Sequence, residues 1–154
     1  MALDSLSVET TSNATAGAAG TSTAIQFIMP ASRHCRLHKV LVQQDATAAG
    51  ENSGRWVVDV ISAVATGSTL VPLQLDPYSA ASAITDTTIS ISTTLACAPT
   101  VVATTGVAIL TLDDGWNDFS ALGLWSRVNQ GFAIRRATAP TGARIVKVTT
   151  IWEE

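Results

Sequence analysis

Apolar and polar residues alternate with a period of two along several short segments of the chain. In residues 55–64, Trp56, Val58 and Val60 fall on one set of alternate positions, and residues 88–95 alternate isoleucine with serine and threonine. Alternate residues of a β-strand point to opposite faces of the sheet. Both segments are therefore predicted to be strands.

The same reasoning predicts about ten short strands separated by turn-forming residues. They cover residues 24–29, 34–43, 55–64, 70–75, 88–95, 101–105, 107–112, 122–128, 132–136 and 143–152. No helical pattern of ten or more residues alternates with them, which argues against a parallel α/β sheet. The predicted fold class is all-β, an antiparallel β-sandwich in residues 22–154, with a jelly roll as the favoured topology.

Residues 1–21 differ from the rest because they are mostly Ala, Ser, Thr and Gly. Little apolar surface offsets the cost of ordering them, so they are predicted to form a flexible N-terminal arm. Leu3, Leu6 and Val8 suit an extended segment laid against the sheet edge of a partner. An attachment element and a disordered tail both remain open at this point.

Composition excludes several classes of partner. Only 14% of the residues are charged and the net charge is −3, so no general basic field for nucleic acid is expected. No apolar run approaches the ~20 residues that span a bilayer, and the N-terminus does not resemble a secretion signal. Cys35 and Cys97 are interpreted as free, buried thiols.

No set of residues predicts catalysis, a metal or a cofactor. His34, Cys35 and His38 resemble a metal cluster, but on a strand the two histidines would be about 13 Å apart. The carboxylates of Asp113, Asp114 and Asp118 are better explained by a turn in which they bond the backbone than by calcium. A cupin-type enzyme would need two histidines and a carboxylate that converge. The chain is therefore interpreted as not an enzyme.

Large aromatic and cationic residues are the candidates for subunit contacts. Trp56, Trp116, Trp125 and Trp152 are expected to be core or interface anchors rather than sugar-stacking surfaces. Arg135 and Arg136 place one guanidinium on each face of a strand. They fit either an edge strand or a salt bridge between subunits.

Taken together, the pattern resembles bacteriophage virion proteins of the small β-sandwich type, such as capsid decoration (cement) proteins. The resemblance is carried by the arm at 1–21, by only two lysines (Lys39 and Lys147), by the Thr- and Val-rich strands and by the last segment, 143–154, which ends in Trp-Glu-Glu. It implies a homotrimer on the capsid surface of a virion, bound to the major capsid protein. The interface residues expected on this basis are Leu3, Leu6, Val8, Trp56, Trp125, Arg135, Arg136 and Trp152.

The main alternative is a carbohydrate- or receptor-binding sandwich, for example on a phage tail. Such a module would place aromatic and polar side chains on one exposed rim. Solvent-exposed Trp116 or Trp125 would favour this alternative, whereas tryptophans packed between subunits would favour the shell protein.

Overall fold

The protein is known from a computed structural model. It describes residues 3–12, 22–29, 33–44, 55–64, 68–69, 71–76, 78, 88–89, 100–101, 108–111, 115–138 and 144–154. Within these ranges the chain is all-β, and no part of them forms a helix long and apolar enough to cross a membrane. The predicted fold class is confirmed.

Thirteen strands are present in the described ranges. Five of them have eight or more residues, and β2 has seven. They are β1 (Leu3–Ser12), β2 (Ser22–Ile28), β3 (Arg36–Gln44), β4 (Arg55–Ala63), β5 (Ser68–Thr69), β6 (Leu73–Gln74), β7 (Thr88–Ile89), β8 (Thr100–Val101), β9 (Ala108–Leu110), β10 (Asn117–Asp118), β11 (Leu124–Trp125), β12 (Gly131–Thr138) and β13 (Arg144–Glu153).

The strands form two antiparallel sheets. Sheet A has the order β10-β3-β13-β1-β6, and β11 also pairs with β3. Sheet B has the order β5-β7-β2-β12-β4-β8, and β9 also pairs with β4. The long strands enter the two sheets in turn, since β1 and β3 belong to sheet A and β2 and β4 to sheet B. The last two strands repeat this alternation, because β12 lies in sheet B and β13 in sheet A.

For residues 3–12, the structure corrects the prediction of a flexible N-terminal arm. These residues form β1, which pairs with β13 in a continuous register from Leu3 opposite Glu153 to Ser12 opposite Arg144. At its beginning β1 also pairs with β6. The prediction weighed the ordering cost against apolar burial alone, and it left out the backbone ladder that a whole neighbouring strand supplies. Residues 13–21 lie outside the described part of the chain.

The core lies between the inner faces of the two sheets. Trp152 of β13 stacks on Phe27 of β2 with ring centres 4.8 Å apart, and Phe27 meets Phe132 edge to face at 6.0 Å. The first of these contacts joins sheet A to sheet B, and the second lies within sheet B, where Phe27 and Phe132 are paired neighbours. The other fully buried large side chains include Trp56, Ile25, Met29, Leu37, Ile61, Ile134 and Val40.

Sheet B is buried on parts of both faces. Trp56 and Val58 belong to the core cluster, as the period-two pattern predicts, but Val57, Asp59 and Ile61 of the opposite face are also withdrawn from solvent. A strand buried on both faces reads as a nearly continuous apolar run, which is what residues 56–61 have.

Candidate functional site

Two of the tryptophans expected at a subunit interface belong instead to the core of the chain. Trp56 is 1% exposed and Trp152 is 0% exposed. Both lie on long strands at positions that face the opposite sheet, so a partner cannot reach either ring. The prediction that Trp56 and Trp152 are interface residues is wrong for this reason.

The two arginines are also engaged within the chain. Arg135 Nε donates a hydrogen bond of 2.6 Å to Asp59 Oδ2, and the Asp59 side chain is fully buried. Arg136 is 2% exposed, and burial lowers the pKa of its guanidinium. Their strand, β12, lies between β2 and β4, so the edge-strand interpretation is wrong. The Arg135–Asp59 pair takes the place of the salt bridge expected between subunits.

The three apolar residues of the predicted arm now have a place in sheet A. Leu3, Leu6 and Val8 pair through their backbones with Glu153, Thr150 and Val148 of the same chain. Their side chains lie outside what the structure describes. Their backbones pair within the chain rather than with a neighbour.

One exposed surface is a run of large apolar side chains beside β6, called here the apolar edge. It consists of Val71, Leu73, Leu75 and Tyr78, which are 88%, 68%, 46% and 96% exposed. Leu73 pairs with Ser5, and among the described strands β6 is the outermost on this side of sheet A. An apolar strand at a sheet edge is a typical place for another chain to bind.

The sequence pattern of the apolar edge predicts a strand, but it does not predict that the apolar side chains are exposed. Val71, Leu73 and Leu75 are spaced by two within the predicted strand 70–75, as on a half-buried strand. In the structure these positions face solvent, and the intervening Pro72 and Gln74 are the less exposed ones. Periodicity reveals which residues share a face, but it does not reveal whether the chain itself covers that face.

A second exposed surface lies at the opposite edge of sheet A and is called here the tryptophan ledge. It consists of Arg36, Lys39, Trp116, Asp118 and Trp125. Asp118 pairs with Lys39, and Trp125 pairs with Arg36, so that β10 and β11 follow one another along the outer edge of β3. Trp116 immediately precedes β10 and is exposed as well. Trp116 is 45% and Trp125 53% exposed.

The ring of Trp125 is held on two sides. The guanidinium carbon of Arg36 lies 5.5 Å from the centre of the ring, within the range of a cation–π interaction. Gly123 has a φ of 59°, and a Cβ atom there would come within 3.4 Å of Trp125 Nε1. The turn at Gly123 therefore lies beside the Nε1 edge of the indole, while about half of the side chain stays open to solvent.

Ion pairs and hydrogen bonds arrange the polar groups of the ledge. Lys39 Nζ lies 3.3 Å from Asp118 Oδ2. Arg36 Nη2 donates a hydrogen bond to the carbonyl oxygen of Ser120. Beside it, His38 Nε2 is 2.7 Å from Glu153 Oε2, and the Ser120 hydroxyl is 3.2 Å from His38 Nδ1. These contacts join the turn after β10 to β3 and β13.

Asp118 has an unusually low pKa for a carboxyl group whose side chain is half-exposed. The Ser120 backbone N–H donates to Asp118 Oδ1 at 2.9 Å, and together with the Ser120 side chain and Lys39 it lowers the pKa of Asp118 from 3.8 to about 2. The predicted bond between an aspartate side chain and the backbone of a turn is confirmed for Asp118. Asp113 and Asp114 lie outside the described residues.

The residues considered for a metal site have other contacts. His34 Nδ1 lies 3.3 Å from the carbonyl oxygen of Ser126, and His38 contacts Glu153 and Ser120. Cys35 is a free buried thiol whose pKa is raised, first by burial and then by the charges of Glu154, Asp4 and Glu153. Across the described ranges, no three His, Cys, Asp or Glu side chains are arranged to hold a metal ion. Cys97 lies outside them.

The chain was compared with protein family models, with curated proteins and with solved structures. None of the three comparisons gives a match. Functional proposals must therefore rest on the two surfaces of sheet A and on the fold that presents them.

Proposed function

We propose that the protein is a non-catalytic structural subunit of a virus-like shell, of the capsid-decoration type, which binds a second copy of itself through the apolar edge. The observation that carries this proposal is the exposure of Val71, Leu73, Leu75 and Tyr78 beside an outermost strand. Burying these side chains between subunits removes apolar area from water, at about 25 cal/mol per Å². The low charge content of the chain is consistent with such a role.

Strand order supports the jelly-roll topology that belongs to this proposal. In a jelly roll of eight strands, the last strand lies between the first and the third, and the seventh lies between the second and the fourth. Here β13 lies between β1 and β3, and β12 lies between β2 and β4. Viral capsid and lectin domains both use this architecture. This is an analogy at the level of the fold, and the surfaces must carry the functional argument.

The connection between β4 and β8 supplies the apolar edge. Residues 64–99 separate β4 from β8, and they carry β5, β6 and β7. β6 extends sheet A beside β1, whereas β5 and β7 extend sheet B beside β2. An insertion that adds strands to an otherwise regular sandwich is a typical carrier of a specific contact.

Sedimentation velocity of the purified protein tests this proposal. The wild type should sediment as an oligomer at micromolar concentration, and Leu73→Lys should shift it towards the monomer because a charge would be buried in the contact. Ile145→Lys is the matched control, since Ile145 is also an exposed apolar residue of sheet A but lies on β13. A monomeric wild type, or equal effects of the two substitutions, would contradict self-association through the apolar edge.

Carbohydrate or receptor binding is the second candidate function. The specific observation in its favour is the exposure of both Trp116 and Trp125, the feature that distinguishes such a module from a shell protein. Because the tryptophan ledge and the apolar edge lie at opposite edges of sheet A, one protein could carry both functions.

A further inference from the structure

We infer that the tryptophan ledge binds an uncharged oligosaccharide, with Trp125 as the main stacking surface. This inference rests on the second candidate function and adds to it the residues and the chemical class of the ligand. It is independent of self-association through the apolar edge, which lies four strand spacings away, or about 19 Å.

Trp125 is suited to bind a ligand because its ring is both exposed and held in place. Arg36 lies over the ring, and the turn at Gly123 lies beside its Nε1 edge. A side chain that is already fixed loses little conformational entropy when a ligand binds. The CH groups on one side of a pyranose ring form a flat apolar patch that can stack on such an indole.

The charges of the ledge favour a neutral ligand. Arg36 and Lys39 are cationic, and Asp118 and the neighbouring Glu153 are anionic, so their formal charges cancel. Lys39 is paired with Asp118 at 3.3 Å, and Glu153 accepts a hydrogen bond from His38 at 2.7 Å. A phosphate or sulfate ligand would need an excess of cationic groups, as would a nucleic acid.

The same groups can bond to sugar hydroxyls without losing their partners. Lys39 and Asp118 have half-exposed side chains, and each carries more donor or acceptor sites than their mutual contact occupies. Hydroxyl groups both donate and accept hydrogen bonds, so they match a surface on which donors and acceptors alternate. Aromatic rings beside such a polar group select a ligand that has apolar faces and hydroxyl edges.

The spacing of the two tryptophans indicates the length of the ligand. Trp125 lies opposite Arg36, and Trp116 is placed one residue beyond Asn117, which pairs with Val40. A register shift in the pairing of β3 with β13 lies between these levels, so they correspond to Glu153 and Thr149 of β13, four residues apart, or roughly 13 Å at about 3.3 Å per residue. A ligand that contacts both rings must be longer than one sugar ring, so an oligosaccharide fits and a monosaccharide would reach only one of them.

This inference is tested by measuring the binding of a panel of uncharged hexasaccharides with calorimetry and tryptophan fluorescence. The panel has cello-, malto-, manno- and xylo-configured members, and a sulfated heparin hexasaccharide is the charged comparator. The wild type should bind at least one uncharged member and shift its tryptophan emission. Trp125→Ala should weaken that binding by about tenfold or more, and Trp116→Ala should weaken it less.

Leu122→Ala is the matched control, because Leu122 is an exposed apolar residue of the same turn. It should keep the wild-type affinity, and Leu73→Lys should keep it too, which separates this inference from self-association. Melting curves verify that each variant is folded. No binding of any uncharged member by the wild type overturns the inference. Preference for the sulfated sugar, or unchanged affinity in both tryptophan variants, overturns it as well.

Discussion

The four tryptophans divide into two regions of the molecule with opposite environments. Trp56 and Trp152 lie between the sheets and are almost completely buried, whereas Trp116 and Trp125 lie at the outer edge of β3 with about half of each side chain exposed. The buried pair belongs to strands of nine and ten residues, and the exposed pair flanks or belongs to strands of two. The buried tryptophans therefore belong to long strands, and the exposed tryptophans belong to or flank short ones.

The polar atoms of the two regions differ in the same way. The indole nitrogens of Trp56 and Trp152 are buried and have no hydrogen-bond partner among the residues that the structure describes. Trp125 instead keeps Nε1 at the surface of a turn, beside Gly123. A buried indole N–H without a partner costs free energy that only extensive packing can offset. This indicates that Trp56 and Trp152 are retained for their apolar volume.

The largest difference between the regions should appear when a ring is removed. Trp152→Ala should lower the free energy of unfolding by about 3–5 kcal/mol, because it deletes the ring that stacks on Phe27 and leaves a cavity between the sheets. Trp125→Ala should lower it by less than about 1 kcal/mol, since the ring is half exposed. Chemical denaturation of the two variants measures both values, and equal losses would contradict the division into core and ledge.

Much of the fold could be predicted because the long strands carry strong local patterns. The segments predicted at 34–43, 55–64 and 143–152 agree with β3, β4 and β13 to within two residues at each end. The sequence pattern does not predict β10, because Asn117 and Asp118 have low strand propensity and follow a turn signal. They pair with β3 only because β3 offers a free edge, which is a tertiary effect that no local window contains.

The candidate sites were harder to predict for a related reason. Trp56 and Trp125 look alike in sequence, since each lies in an apolar segment near an arginine. The difference arises from sheet order, which places β4 beside β12 within sheet B and β11 at the margin of sheet A. Period-two alternation gives the face of a strand, but the position of that strand in the sheet comes from contacts distant in sequence.

A second prediction concerns a substitution in β1 that should affect the apolar edge but not the tryptophan ledge. Ser5 pairs with Ile151 of β13 and with Leu73 of β6, so β1 connects β6 to the rest of sheet A. Ser5→Pro removes one backbone donor from this three-strand ladder and should cost about 1–3 kcal/mol, or roughly 2–4 °C in Tm for each kcal/mol. Thermal unfolding measures the loss.

Ser5→Ala is the control for this substitution, because it keeps the backbone N–H and should change the stability by less than about 0.5 kcal/mol. Ser5→Pro should also weaken self-association while it leaves the fluorescence of Trp125 unchanged, since β11 lies on the far side of β3 and β13. An unchanged Tm would indicate that β1 is dispensable, as the original interpretation of residues 1–21 as a flexible arm implies.

The smallest expected effect is a change in the pKa of Asp118, which belongs to the tryptophan ledge. Asp118 has its pKa lowered from 3.8 to about 2, chiefly by the Ser120 N–H and then by the Ser120 side chain and Lys39. A carboxylate with a lowered pKa in the folded state stabilises the fold above its unfolded value near 4, and this contribution is lost as the pH falls through about 2. Ser120→Ala and Lys39→Met should each raise the pKa of Asp118 only part of the way back to 3.8, because the Ser120 backbone N–H, the largest influence, remains in both variants. An NMR titration of the Asp118 carboxyl carbon measures both shifts. A full return to 3.8 in Lys39→Met would mean that the ion pair with Lys39, rather than the Ser120 backbone N–H, holds this carboxylate in the ledge.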